Sequence, residues 1–156
     1  MAGKILKELQ QGKPFRHIEE EVFLNVQRTA DAMLQELLDV LRPVGLSVTQ
    51  YNVLRILRGA GDAGVTCKDI GARMITRDPD ITRLLDRLER RSLLTRNRAK
   101  EDRRFVSIRI TEEGLELLKQ LDVPVEEKQV AIMRHMSEPQ LASLIDLLEQ
   151  ARDWRR

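Results

Sequence analysis

The sequence predicts a mainly α fold with a small β-hairpin wing: a winged helix-turn-helix lobe plus a helical dimerisation stem. Three observations predict it. A capped amphipathic helix is followed at once by two alternating runs, positive charge is concentrated in that same stretch, and apolar helical stripes flank it on both sides.

The helix comes first. Asp78 followed by Pro79 reads as a helix start, because an aspartate accepts from free backbone N–H groups and proline suits the first helical position. Ile81, Leu84, Leu85 and Leu88 then recur at the spacing of one buried face. At about 100° per residue, Arg83, Arg87 and Arg90 form a stripe roughly opposite that face. Arg83 with Asp86, and Asp86 with Arg90, also have the spacing of intrahelical ion pairs, so a merely solvated surface is the competing reading.

The alternating runs are Leu94–Arg98 and residues 105–110, where Val106, Ile108 and Ile110 share one side while Phe105, Ser107 and Arg109 share the other. Between them A-K-E-D-R-R suits the tip of a two-stranded ribbon. Residues 73–109 hold 12 Lys/Arg against 6 Asp/Glu, a net of +6 in a chain whose total is +2. The rest of the chain therefore carries −4. Concentrated positive charge beside a helix and a hairpin is the footprint of a phosphate-binding face.

Composition bounds the alternatives. At 156 residues the chain fits one domain with appended helices. Aromatics at 3% argue against the base-stacking platforms of single-strand and RNA binders. No apolar run approaches the ~20 residues that span a bilayer, and the amino terminus lacks a signal peptide's apolar core. A single cysteine excludes an intrachain disulfide, and cytoplasmic residence follows. Two histidines and one cysteine, far apart, give no metal spacing, and no phosphate loop or serine elbow is present. No cofactor is expected, and enzymatic function has no positive support.

In chain order, residues 4–9 suit a short helix stopped near Gly12 and Pro14. A long helix is expected over residues 16–42, since Ile18, Val22, Val26, Ala30, Met33, Leu37 and Leu41 keep one stripe. It reads as a dimer-forming or scaffold helix, the alternative being a helix packed only on its own core. Pro43 ends it and Gly45 allows a turn. Thr49 is the expected N-cap of a helix through Leu57, and G-A-G-D-A-G (59–64) a flexible connection. Thr66 with Asp69 resembles a capping box opening a short helix, residues 67–74. The turn at residues 75–77 then completes the two-helix unit that docks on DNA.

After the hairpin, Thr111 opens a helix that Pro124 should kink or break before it resumes to Met136. Ser137 with Gln140 forms a capping box, with Pro139 in the first turn of a last helix carrying Leu141, Leu144, Ile145 and Leu148. That helix has little core of its own to cover. It is expected to pair with the long amino-terminal helix, of its own chain or a partner's. The division expected is residues 1–44 (dimerisation helices), 45–112 (lobe) and 113–156 (completion of the stem).

Four strings together resemble the MarR (multiple antibiotic resistance regulator) family of bacterial winged-helix transcriptional regulators. They are L-S-V-T-Q-Y-N-V-L-R-I-L (46–57), I-T-R-L-L-D-R-L-E-R-R-S-L-L-T-R (81–96), E-D-R-R-F-V-S-I-R-I-T-E-E-G (101–114) and M-S-E-P-Q-L-A-S-L-I-D-L-L-E-Q (136–150). The resemblance implies a homodimer on a pseudo-palindromic DNA operator, commonly a repressor released by a small aromatic or phenolic effector. It places Asp80, Thr82, Arg83 and Arg87 on the recognition helix and Arg103 at the wing tip in a minor groove, with Asp102 and Arg104 bracing the wing. Arg73, Arg77 and Lys100 complete the expected DNA-binding face.

A narrow minor groove attracts an inserted arginine, and a guanidinium grips guanine's major-groove edge with two hydrogen bonds. Asp80 departs from that pattern: it either accepts from a cytosine amino group or serves the helix N-terminus. Ser92 stands where relatives often have glycine. Cys67 is either an oxidant sensor or ordinary packing. Phe15, His17 and Tyr51 either line an effector pocket or are ordinary packing and surface, and Trp154 is expected to cap the stem. The rival reading is a winged-helix protein-interaction module without DNA binding; a small-molecule-binding or catalytic dimer ranks behind it.

Overall fold

The computed structural model describes residues 3–76, 80–98 and 106–155. Arg77, Asp78, Pro79, Lys100, Asp102, Arg103, Arg104 and Phe105 lie outside the described residues. Among the described residues, seven α-helices and a two-stranded antiparallel hairpin follow the chain as α1 (Lys4–Glu8), α2 (Ile18–Leu41), α3 (Val48–Ala60), α4 (Cys67–Arg73), α5 (Ile81–Arg90), β1 (Leu94–Arg98), β2 (Val106–Ile110), α6 (Glu112–Met133) and α7 (Glu138–Gln150). None of the described helices is long and apolar enough to cross a membrane.

The core lies where α3, α4, α5 and the hairpin meet the first half of α6. Val53, Leu54, Leu57, Ile70, Leu85, Leu88, Leu94, Ile108 and Leu118 are almost wholly removed from water there. α3 begins one cap earlier than Thr49 suggests. Ser47 Oγ accepts from the Gln50 N–H at 3.1 Å, and Gln50 Oε1 accepts from the Ser47 N–H at 2.9 Å. Thr49 instead shares its hydroxyl with Ser47 at 2.9 Å. At α4 the Thr66–Asp69 box forms as expected. The hydrogen bonds from Thr66 hold the Asp69 carboxyl below the usual carboxylate range.

Residues 59–64 are not the flexible connection expected. α3 runs on to Ala60, a 3₁₀ turn covers Gly61–Ala63, and Gly64 sits at φ +67° with no room for a side chain beside Ser107 and Ile108. This places Val65 as an isolated antiparallel bridge on Ile108, at the edge of the hairpin. Its N–H donates to Ile108 O at 3.0 Å, and the Ile108 N–H donates back at 2.8 Å.

Pro124 does not break α6, which is continuous across it. Proline removes one ladder hydrogen bond, but the carbonyl left over belongs to exposed Gln120 while Leu118, Leu121 and Val125 pin the opposite face in the core. The helix stops at Met133, three residues short of the expected end. Arg58 Nη1 donates to both oxygens of Asp122 at 2.9 Å, joining α3 to α6, and Lys128 donates to Glu36 at 2.9 Å, joining α6 to α2.

The long helices end this economy of burial. α2 buries only Leu41, and α7 buries nothing. Ile18, Val22, Phe23, Val130, Ile145 and Leu147 are exposed, and Trp154 is 76% exposed in the 3₁₀ turn after α7.

Candidate nucleic-acid interface

α4 and α5 form the helix-turn-helix. They close on each other at Gly71, where a Cβ would come within 2.9 Å of Ile81 Cδ1. The turn between them is held from α3, since Asn52 Oδ1 accepts from the Ile75 N–H at 3.0 Å.

α5 starts later than the Asp78–Pro79 pair suggests. Asp80 is its N-cap: Oδ1 accepts from the Arg83 N–H at 3.2 Å, and Oδ2 pairs with Arg83 Nε at 3.0 Å. Leu84, Leu85 and Leu88 are buried, while Thr82, Arg83, Arg87 and Arg90 are exposed. The helix ends in a Schellman turn. The Leu93 N–H donates to Leu88 O at 3.1 Å and the Ser92 N–H to Glu89 O at 2.8 Å, with Ser92 at φ +57°. Ser92 therefore occupies a left-handed position that glycine fills without strain.

Asp86 does not pair along its own helix. It binds Arg96 of β1, whose Nη1 donates to Asp86 Oδ1 at 2.6 Å and to Glu89 Oε2 at 3.0 Å. This leaves the outer stripe of Arg83, Arg87 and Arg90 with only Arg83 tied to a carboxylate by a resolved ion pair among the described residues. At the other end, Arg91 Nη1 and Nη2 donate to the carbonyls of Gly45 and Val44 at 2.6 and 2.8 Å, anchoring the end of α5 to the turn after α2.

The hairpin pairs Leu94 with Ile110, Arg96 with Ile108 and Arg98 with Val106. Arg73 is exposed in the last turn of α4. So Arg73 on α4 and Thr82, Arg83 and Arg87 on α5 are all exposed, while Arg77, Lys100, Asp102, Arg103 and Arg104 fall outside what is described.

Sequence reasoning missed Arg91 and Arg96 as site-building residues. A signal for Arg96 was there: alternation puts it on the same face as buried Leu94, and an inward arginine requires carboxylate partners.

The remaining residues singled out scatter. Tyr51 is buried in the core under the guanidinium of Arg55, 5.8 Å from its ring centre, and burial pushes its hydroxyl pKa up. Phe15 is half-buried, and His17 is the exposed N-cap of α2. Two adjoining cavities of about 430 and 300 Å³ lie between α2, the end of α6 and α7; Met33, Met133 and Leu144 line both, and Phe15, His17 and Tyr51 line neither. Cys67 is exposed at the start of α4.

A helix-turn-helix with an arginine-faced second helix, followed by a β-ribbon, defines a winged helix-turn-helix protein. The MarR family profile matches residues 46–106. The chain is 38% identical to a MarR transcription factor from Planctomyces limnophilus of known structure, with a TM-score of 0.68 and coverage of 87% of this chain and 98% of that one. It is 26% identical to the HTH-type transcriptional repressor YetL of Bacillus subtilis, over 90% of this chain and 92% of the relative. The fold also matches Staphylococcus aureus MepR, solved as a DNA complex, at 23% identity, a TM-score of 0.74 and coverage of 81% of this chain and 92% of that one. The chain belongs to the MarR family of transcriptional regulators, whose members are not enzymes.

Proposed function

We propose that this regulator is an effector-responsive repressor that binds a pseudo-palindromic operator as a homodimer, with α5 in the major groove and the hairpin tip at the neighbouring minor groove. The observation that carries this reading is the division of α5. Its leucines are all turned inward, and Thr82, Arg83, Arg87 and Arg90 are all left to solvent on a protein of net charge only +2. Exposed guanidinium groups on a rigid helix suit both phosphates and guanine edges. Arg73, Arg77 and Lys100 would add phosphate contacts, Arg103 would enter the minor groove, and Asp102 with Arg104 would brace it.

The apolar surface left by α2, α6 and α7 supports the homodimer, with residues 1–44 and 113–156 as its stem and 45–112 as its lobe. Two copies would present α5 about 34–36 Å apart, one helical turn of DNA. Of the two cavities beside α7, the larger offers mixed polar and apolar walls, with Arg28, Glu36 and His135 among them, and the smaller is almost wholly apolar; together they suit a small aromatic or phenolic effector.

Selection of bound duplexes from a random pool, at stated salt, tests the reading. The expected outcome is a two-fold related consensus and a steep fall of log affinity with log salt. No enrichment, together with a flat salt response, would reject it.

A further inference from the structure

Arg96 belongs to β1, yet its side-chain hydrogen bonds go to α5. Nη1 reaches Asp86 at 2.6 Å and Glu89 at 3.0 Å, and Nη2 reaches the Thr82 carbonyl at 3.3 Å. Positions 82, 86 and 89 lie along a single stripe of a helix, one turn after another. One planar guanidinium therefore holds α5 against both tilting and rolling.

Apolar packing does not do this alone. A cavity of about 430 Å³ lies in the seam between α5 and the hairpin, walled by Leu85, Glu89, Arg96, Val106 and Ile108. The guanidinium spans that seam with only a quarter of its side chain exposed.

We propose that Arg96 is a positioning residue for DNA recognition, fixing the angle between α5 and the hairpin so that both meet one duplex. The proposal rests on the DNA-binding reading above. Arg96 acts through α5 and makes no phosphate contact of its own.

The probe is a duplex that the unaltered protein selects from a random pool, compared with an unselected duplex at the same salt. Asp86→Ala/Glu89→Ala removes two negative charges from α5, and charge alone would tighten both complexes without changing their ratio. Loss of the grip instead lowers the preference for the selected duplex by ~10-fold or more. Arg96→Lys keeps the charge but loses the fork. It gives a similar fall in preference with an unchanged salt slope, in protein whose helical circular dichroism matches the parent's. Retention of the preference by either folded variant overturns the proposal. So does a salt slope shallower by about one in Arg96→Gln, which removes the charge and would mark a lost phosphate contact. Failure of the unaltered protein to enrich any duplex overturns the DNA reading itself, so the two failures are told apart.

Discussion

α5 and α7 are both short amphipathic helices, but they stand in opposite relation to their own chain. α5 turns Leu84, Leu85 and Leu88 into the core and leaves arginines outside. α7 leaves Ile145 and Leu147 about 60% exposed and buries no residue. An apolar stripe finished within the chain stabilises the fold, whereas one left open is available to another surface. The difference teaches where this protein is self-sufficient and where it is not.

The largest effect should come from the finished side. Leu88→Ala deletes a wholly buried side chain from the underside of α5 and should destabilise the lobe by about 2–5 kcal/mol, read as a lower denaturant midpoint at unchanged slope. A loss below about 1 kcal/mol would mean that the core tolerates the cavity and that the contrast is overstated.

The open side is probed by Ile145→Glu/Leu147→Glu. Placing a carboxylate at each of these two exposed apolar positions, which lie on different sides of α7, should weaken self-association by about 2–4 kcal/mol while leaving helix content intact. Sedimentation across a concentration series reads it, and an unshifted equilibrium would put the dimer contact elsewhere.

Next is the outward face of α5. Arg83→Ala should weaken operator binding by about 1–3 kcal/mol and make the salt slope shallower by about one, with thermal stability nearly unchanged because Arg83 is exposed. Equal weakening of all duplexes would mark it as a phosphate contact, and weakening confined to the operator as a base contact.

The smallest change is at the hinge of the comparison, where α5 ends. Ser92 at φ +57° carries a side chain in a conformation that glycine adopts freely. Ser92→Gly should therefore raise stability by about 0.5–1 kcal/mol in a thermal melt, despite glycine's greater freedom when unfolded. A lower melting temperature would show that the unfolded-state entropy outweighs the relieved strain.

Much of this was legible in the residue pattern because the signals are local. The leucine spacing of α5, the alternation of the hairpin, and the Thr66 and Ser137 boxes each depend on neighbours within one or two turns. Where two local signals compete within a few residues, reading went astray: Ser47 caps α3 rather than Thr49, and Asp80 caps α5 rather than Asp78. Contacts between distant segments carried the least signal. Val65 lies 43 positions from Ile108, and Arg91 lies 46 from Gly45, and no periodicity links either pair. For the candidate site, the exposed arginines of α5 could be named in advance, but not the inward arginine that steadies the helix beneath them.

Arg91 has a mechanical consequence. Its two hydrogen bonds seize the carbonyls at the point where α2 hands over to α3, from a residue that is itself the C-cap of α5. A swivel of α2's final turn must therefore either rupture both bonds or drag the far end of α5 along. The chain thus contains a short tie-rod, one side chain long, between its longest helix and the one that bears the arginines.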